Sequence, residues 1–307
     1  GGIDATSKYL ADGALYDPDT DTWAAVSATG APAARVLATA VWTGSVVVVW
    51  GGGNANSDLT SGSRYDPVAK TWQAISAVGA PTGRRGSYGF WTGSRVLVWG
   101  GVDRFGTAYN TGGSYDPVND KWTTITTTGA PSARNDPTVA WIDSRLAVYG
   151  GDVGAGYSAK IYLYNAGTNT WTNGVDGPTA RYGAFGAWDG SYFTAWSGAS
   201  PLKADGKFYE PLTDKWSSMA PMGQPASRWA PNRQTGWAVR VKPGVTLMVG
   251  GMGSNTTTFF TGGGIFSSTT NSWTTVANWP SGSSHLYGVG VWTGTEFVVW
   301  GGHTGTN

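Results

Sequence analysis

The chain has 307 residues, 13% of them charged, with a formal net charge of +1 and no cysteine. Zero cysteine excludes disulfides, thiolate catalysis and cysteine-based metal sites, and the near-neutral balance gives no broad electrostatic footprint for nucleic acid. No apolar run approaches the roughly eighteen residues of a membrane span. No signal peptide stands in the sequence, though a mature or trimmed chain would have lost one.

The first segments, Tyr9–Tyr16 and Thr22–Ser27, read as two strands around a Tyr16-Asp17-Pro18 turn. From there one pattern recurs at steps of about fifty residues, the mark of a repeat architecture. A Pro-x-x-Arg comes first: Pro32/Arg35, Pro81/Arg84, Pro131/Arg134, Pro178/Arg181 and Pro225/Arg228, with His285 where a sixth Arg is expected. A strand then ends in Trp42, Trp91, Trp141, Trp188, Trp237 or Trp292. A tight turn such as Thr43-Gly44 leads into an apolar strand that closes on a small-residue doublet, as in 47–52, 96–101, 146–151, 193–198, 247–251 and 297–302. After a longer loop comes the aromatic-Asp-Pro turn, at Tyr65-Asp66-Pro67 and Tyr115-Asp116-Pro117. It weakens to Tyr164-Asn165-Ala166, Tyr209-Glu210-Pro211 and Phe266-Ser267-Ser268. A single Trp follows each, from Trp23 and Trp72 to Trp273.

These segments are short, rich in Val, Thr, Trp and Tyr, and bounded by Gly, Pro and Asp. They read as strands, four per unit. The doublet, the Tyr-Asp-Pro and the spaced Trp resemble the kelch repeat, over essentially the whole chain. The resemblance implies an all-β, six-bladed β-propeller of kelch type with four antiparallel strands per blade. Residues 1–307 are then a single domain, and 1–27 complete the blade begun by 283–302, so that the ring is closed by its own termini. Gly1-Gly2 lies at doublet spacing before Tyr16, as in a longer array, and a flanking domain is compatible with that.

Catalytic signatures are absent. There is no Gly-x-Ser-x-Gly, His-Glu-x-x-His, Walker or dinucleotide fingerprint, and His285 and His303 are the only histidines. Asp17-Pro18-Asp19-Thr20-Asp21 opens like a calcium loop but lacks its later Gly and Glu, and reads as a β-turn. Asn255-Thr256-Thr257 is a lone glycosylation sequon of little weight. Among kelch enzymes, the galactose oxidase type needs a Tyr–Cys crosslink that zero Cys forbids. The sialic-acid epimerase type needs an acid/base set that cannot be mapped here. Asp103, Asp136, Asp152 and Asp205 read as solvated loop charges. No catalytic residue, metal ligand or cofactor is assigned.

Sixteen of the 18 Trp sit at repeat positions, where large aromatics wedge sheets together. Trp229 and Trp279 do not, and Arg228, Arg233 and His285 lie near them in sequence. Aromatics beside guanidinium groups suit a sugar or an anionic group. The resemblance places Arg35, Arg84, Arg134, Arg181 and Arg228 where kelch domains grip acidic peptides; bonds to backbone carbonyls are the competing role. Arg104 and Phe105 lie in the loop 102–113. The post-doublet loops 53–63, 102–113, 152–160, 199–207 and 252–263 are long and varied, and carry Phe105, Tyr109, Tyr157, Phe259 and Phe260. Binding residues concentrate on such loops. The sequence therefore reads as a non-enzymatic binding module for a protein segment or glycan on the long-loop rim, with no nucleic-acid partner. It is monomeric or part of a larger chain, in an extracellular, periplasmic or cell-surface setting. The alternatives are a carbohydrate-active enzyme resembling the epimerases and a structural domain of a surface protein.

Overall fold

Val-, Thr- and aromatic-rich runs cut by Gly, Pro and Asp fold as strands because β-branched and aromatic side chains fit a pleated surface, while the breakers supply turns. The structure is a computed structural model, and it describes residues 1–177, 179–199, 201–230, 236–254, 258–279 and 288–302. Among them there is no helix. The strands fall into two compact units, Gly1–Thr127 and Thr128–Asn307.

The first unit opens with two-stranded sheets, β1 (Gly2–Ile3) with β2 (Tyr9–Leu10), and β3 (Ala14–Asp17) with β4 (Thr22–Ala25). Two four-stranded antiparallel sheets follow. One holds β5 (Thr39–Trp42), β6 (Val47–Trp50), β7 (Gly62–Asp66) and β8 (Thr71–Ala74). The other holds β9 (Tyr88–Trp91), β10 (Val96–Trp99), β11 (Gly112–Asp116) and β12 (Lys121–Thr124). Each is a meander in which neighbours in sequence are neighbours in the sheet. The sheets pack face to face, with β5 beside β9. Their core is Val41, Val48, Trp50 and Ile75 against Val96, Val98, Tyr115 and Trp122.

The second unit repeats the plan three times. Its sheets are β13 (Thr138–Ile142) to β16 (Thr170–Asn173) through β14 (Arg145–Tyr149) and β15 (Ile161–Asn165); β17 (Phe185–Trp188) to β20 (Lys215–Ser218) through β18 (Phe193–Trp196) and β19 (Gly206–Glu210); and β21 (Gly236–Lys242) to β24 (Ser272–Val276) through β22 (Val245–Gly250) and β23 (Gly263–Ser267). A two-stranded sheet, β25 (Val289–Trp292) with β26 (Phe297–Trp300), ends it. The first strands lie side by side, β13 by β17, β17 by β21 and β21 by β25.

The doublets have a backbone cause. Both positions turn left-handed, at φ 72° and 78° for Gly51-Gly52 and 69° and 87° for Gly100-Gly101. A Cβ on Gly52 would stand 2.5 Å from the Val36 carbonyl oxygen, so both conformation and space exclude a side chain. Ser197 takes the first position at φ 59°. Its hydroxyl is held there, sharing its one proton between the Lys203 and Arg228 carbonyls and accepting from the Arg228 amide. Gly1-Gly2 belongs to the series: the Gly2 amide donates to the Arg35 carbonyl at 2.8 Å, as Gly52 does to Arg84.

The Tyr-Asp-Pro turn is a carboxylate-capped turn. The Asp66 Oδ1 accepts the amides of Val68 and Ala69, and Asp116 those of Val118 and Asn119. The Tyr packs on the Trp that follows it, at 5.0 Å for Tyr65–Trp72 and 5.1 Å for Tyr115–Trp122. Trp122 Nε1 then donates to the Ser76 carbonyl of the preceding sheet, and Trp216 Nε1 to that of Val175. The packing role expected of all template Trp does not extend to Trp23, Trp42 and Trp300, which are 44%, 52% and 60% exposed. Trp23 and Trp300 stand in two-stranded sheets, which offer less surface to cover them.

Candidate binding rim

The five repeated arginines lie inside the blades. All are buried, Arg84 completely. Arg84 Nε donates to the Thr82 carbonyl, and its Nη1 to the carbonyls of Gly100 and Thr111 at 3.0 and 2.8 Å. Arg35 repeats this on Ala33, Gly51 and Ser61, and Arg228 on Ala226, Gly250 and Gly262. Arg134 reaches Ser132 and Gly150, and Arg181 reaches Ser197 and Asp205. Each guanidinium thus ties the lead-in of a first strand to the doublet that ends the second strand, and collects carbonyls that the left-handed doublet leaves without strand partners. Burial pushes the Arg84 and Arg228 guanidinium groups down to about 10, which leaves them charged at neutral pH. The expected grip on acidic ligands is corrected here. These donors face carbonyls of their own chain, because a planar fork spans several fixed oxygens at once.

Loop aromatics cover the staples. The Arg84 guanidinium lies 4.4 Å from the Tyr109 ring centre, and that of Arg228 lies 4.0 Å from Phe260. These two rings of the post-doublet loops therefore act as lids on buried charge.

The residue after each arginine carries the variation. Val36, Arg85, Asn135, Tyr182 and Trp229 each form a β-bridge with a post-doublet residue, respectively Gly53, Val102, Asp152, Ala199 and Met252. Lead-in and long loop therefore share one end of each blade. Trp229 occupies this slot of the repeat rather than breaking it. It is half-buried and meets Tyr182 edge-on at 5.6 Å. Trp279 is also half-buried but goes elsewhere, packing on Trp237 with centroids 6.3 Å apart. Arg233 and His285 lie outside the described residues, as does the sequon 255–257.

In the first unit, Arg85 pairs with Asp58 at 2.7 Å, and the Asp58 Oδ2 also accepts the Arg104 amide. Arg104 donates to the Asn56 carbonyl and stacks over Phe105, which is 80% exposed. Several rim carboxylates have local work. Asp103 Oδ1 accepts the amides of Phe105 and Thr107, bonds that hold its pKa below the usual carboxylate value. Asp152 Oδ1 accepts the Gly154 amide, and Asp205 pairs with Arg181. Tyr182 escaped the sequence reading, although its position after Arg181 matches that of Trp229 after Arg228 and could have exposed it.

A scaffold of repeated four-stranded sheets with a stapled doublet defines a kelch-type repeat protein. The model of the KLHDC2/KLHL20/DRC7 Kelch-repeats domain matches residues 1–129 and 38–231, and the chain belongs to the kelch-repeat family. No curated protein matches it.

Proposed function

We propose that this protein is a non-enzymatic binding module that recognises a protein segment on the rim formed by the post-doublet loops. Kelch domains generally mediate protein–protein interaction. The observation that carries the reading is the contrast between a constant staple and a variable tip: Val36, Arg85, Asn135, Tyr182 and Trp229 occupy one slot of one geometry. Variable side chains on a rigid frame are the arrangement of a recognition surface. A closed ring of six blades, with residues 1–27 completing the blade begun by 283–302, belongs to the same proposal. So does an extracytoplasmic setting. Among the described residues no helix is long and apolar enough to cross a membrane.

The test is a peptide and glycan array probed with the whole chain, then with Phe105→Ala and Tyr182→Leu on the rim and Leu212→Ser at the opposite end of a blade. Peptide binding weakened by a rim change and untouched by Leu212→Ser is the expected outcome. Loss only with Leu212→Ser would put binding on the other end, and binding to glycans alone would replace the protein segment.

A further inference from the structure

Three aromatic side chains in the second unit converge at the rim. Tyr157, from the loop between β14 and β15, stacks on Tyr182 at 4.8 Å with planes 9° apart. Trp229 meets the same Tyr182 at 65°. Tyr157 is 40% exposed, and the other two keep part of their surface open. A continuous run of backbone bonds fixes their spacing. Asp152 exchanges both backbone bonds with Asn135 and bridges to Tyr157; the Gly183 amide donates to the Asp136 carbonyl, and the Ala230 amide to that of Gly183.

Two half-buried carboxylates belong to the same cluster. Asp136 precedes β13, and Asp152 is the bridge partner of Tyr157. Burial first, then the neighbouring Tyr157, Asp136 and Asp152, push the Tyr182 hydroxyl pKa upward. The second residue after the arginine is left-handed at Leu37, Gly86, Asp136 and Gly183, at φ 56°, 61°, 47° and 60°, so this repeated turn sets where Asp136 stands. The nearby cations, Arg134 and Arg181, are buried: Arg134 donates to Ser132 and Gly150, and the Arg181 Nη atoms to Ser197 and Asp205, while Arg181 Nε has no partner among the described residues.

Aromatic faces carry negative quadrupole potential, and carboxylates add net negative charge, so the cluster attracts a cation. We infer that Tyr157, Tyr182 and Trp229, with Asp136 and Asp152, form a subsite for the Lys or Arg side chain of a bound protein segment. The inference rests on the rim being the binding face. It reverses the anion preference that the arginines had suggested, because those arginines are inside and these acids are at the surface.

The test uses nine-residue peptide pools, identical except for a fixed central Lys, Arg, Glu or Leu, titrated against the immobilised full chain at low and high salt. The Lys and Arg pools are expected to bind roughly tenfold tighter than the Glu and Leu pools, with salt eroding the difference. Asp136→Asn and Asp152→Asn preserve shape and turn bonds; together they should remove most of that preference. Tyr182→Leu should remove the rest, with thermal unfolding confirming a folded chain. A Glu preference, or a Lys preference unchanged in the double Asn variant, overturns the subsite while leaving the rim reading standing. Binding lost only on Leu212→Ser overturns both, as does no binding by any pool. A neutral glycan whose binding needs Tyr182 but neither carboxylate would make the cluster a sugar platform and overturn the cation assignment.

Discussion

Arg84 shows how much one buried side chain organises. Its guanidinium joins three carbonyls from three segments of one blade. A lysine keeps the charge in the same dry place but presents a single ammonium in place of a planar fork. Arg84→Lys should therefore destabilise by about 2–3 kcal/mol in urea unfolding, and a neutral result would remove the staple from the account. Tyr115 supplies a pH signature. Burial, and then the Asp120 carboxylate that accepts its hydroxyl proton at 2.7 Å, push its pKa upward. The neutral hydroxyl is favoured in the folded state, so this stabilisation is whole below pH ~10, the ordinary tyrosine value, and drains away above it as the unfolded chain ionises first. Tyr115→Phe should cost about 1 kcal/mol at neutral pH. Its deficit against the native protein should shrink as melting curves are taken from pH ~9 upward; a constant deficit would contradict the shift.

At the scale of elements, the blade is held to its neighbour by aromatics at fixed places. Trp122 is buried, stacks on Tyr115, lies 5.3 Å from Trp50 of the preceding sheet and bonds the Ser76 carbonyl. Trp122→Ala should cost about 3–5 kcal/mol. Trp279 is half-buried on a loop and leans on Trp237. Trp279→Ala should cost less than half as much, because less apolar surface returns to water. Equal losses in denaturant midpoints would show that the loop Trp is as much a wedge as the blade Trp.

Across the whole molecule, residues 1–27 are not an appendage. Gly2 and Leu10 bond the backbone of Arg35, and β3 with β4 repeats the outer pair of a blade. Removing 1–27 should lower the melting temperature by several degrees and promote aggregation, since the Arg35 backbone loses its bonds to Gly2 and Leu10 and strand edges lie open. A deletion variant that melts like the full chain would sink the closed-ring proposal together with this structural role.

Sequence alone determined the repeat and its grammar. Two adjacent left-handed residues favour Gly, a capped turn favours Asp or Asn, and a Tyr–Trp pair seven residues apart fits two antiparallel strands around that turn. These are local constraints, so they leave a local mark, and the four-stranded sheets follow from them. The arginines and the rim were decided only by tertiary structure. Pro-x-x-Arg is the same string whether the guanidinium reaches a ligand or two carbonyls sixteen to thirty-four residues away. The cluster of Tyr157, Tyr182 and Trp229 joins residues from three successive repeats, and no spacing along the chain encodes which side chains of neighbouring blades touch. Distance in sequence carries the hydrogen-bond pattern of a blade, whereas the chemistry of its rim arises from packing between blades.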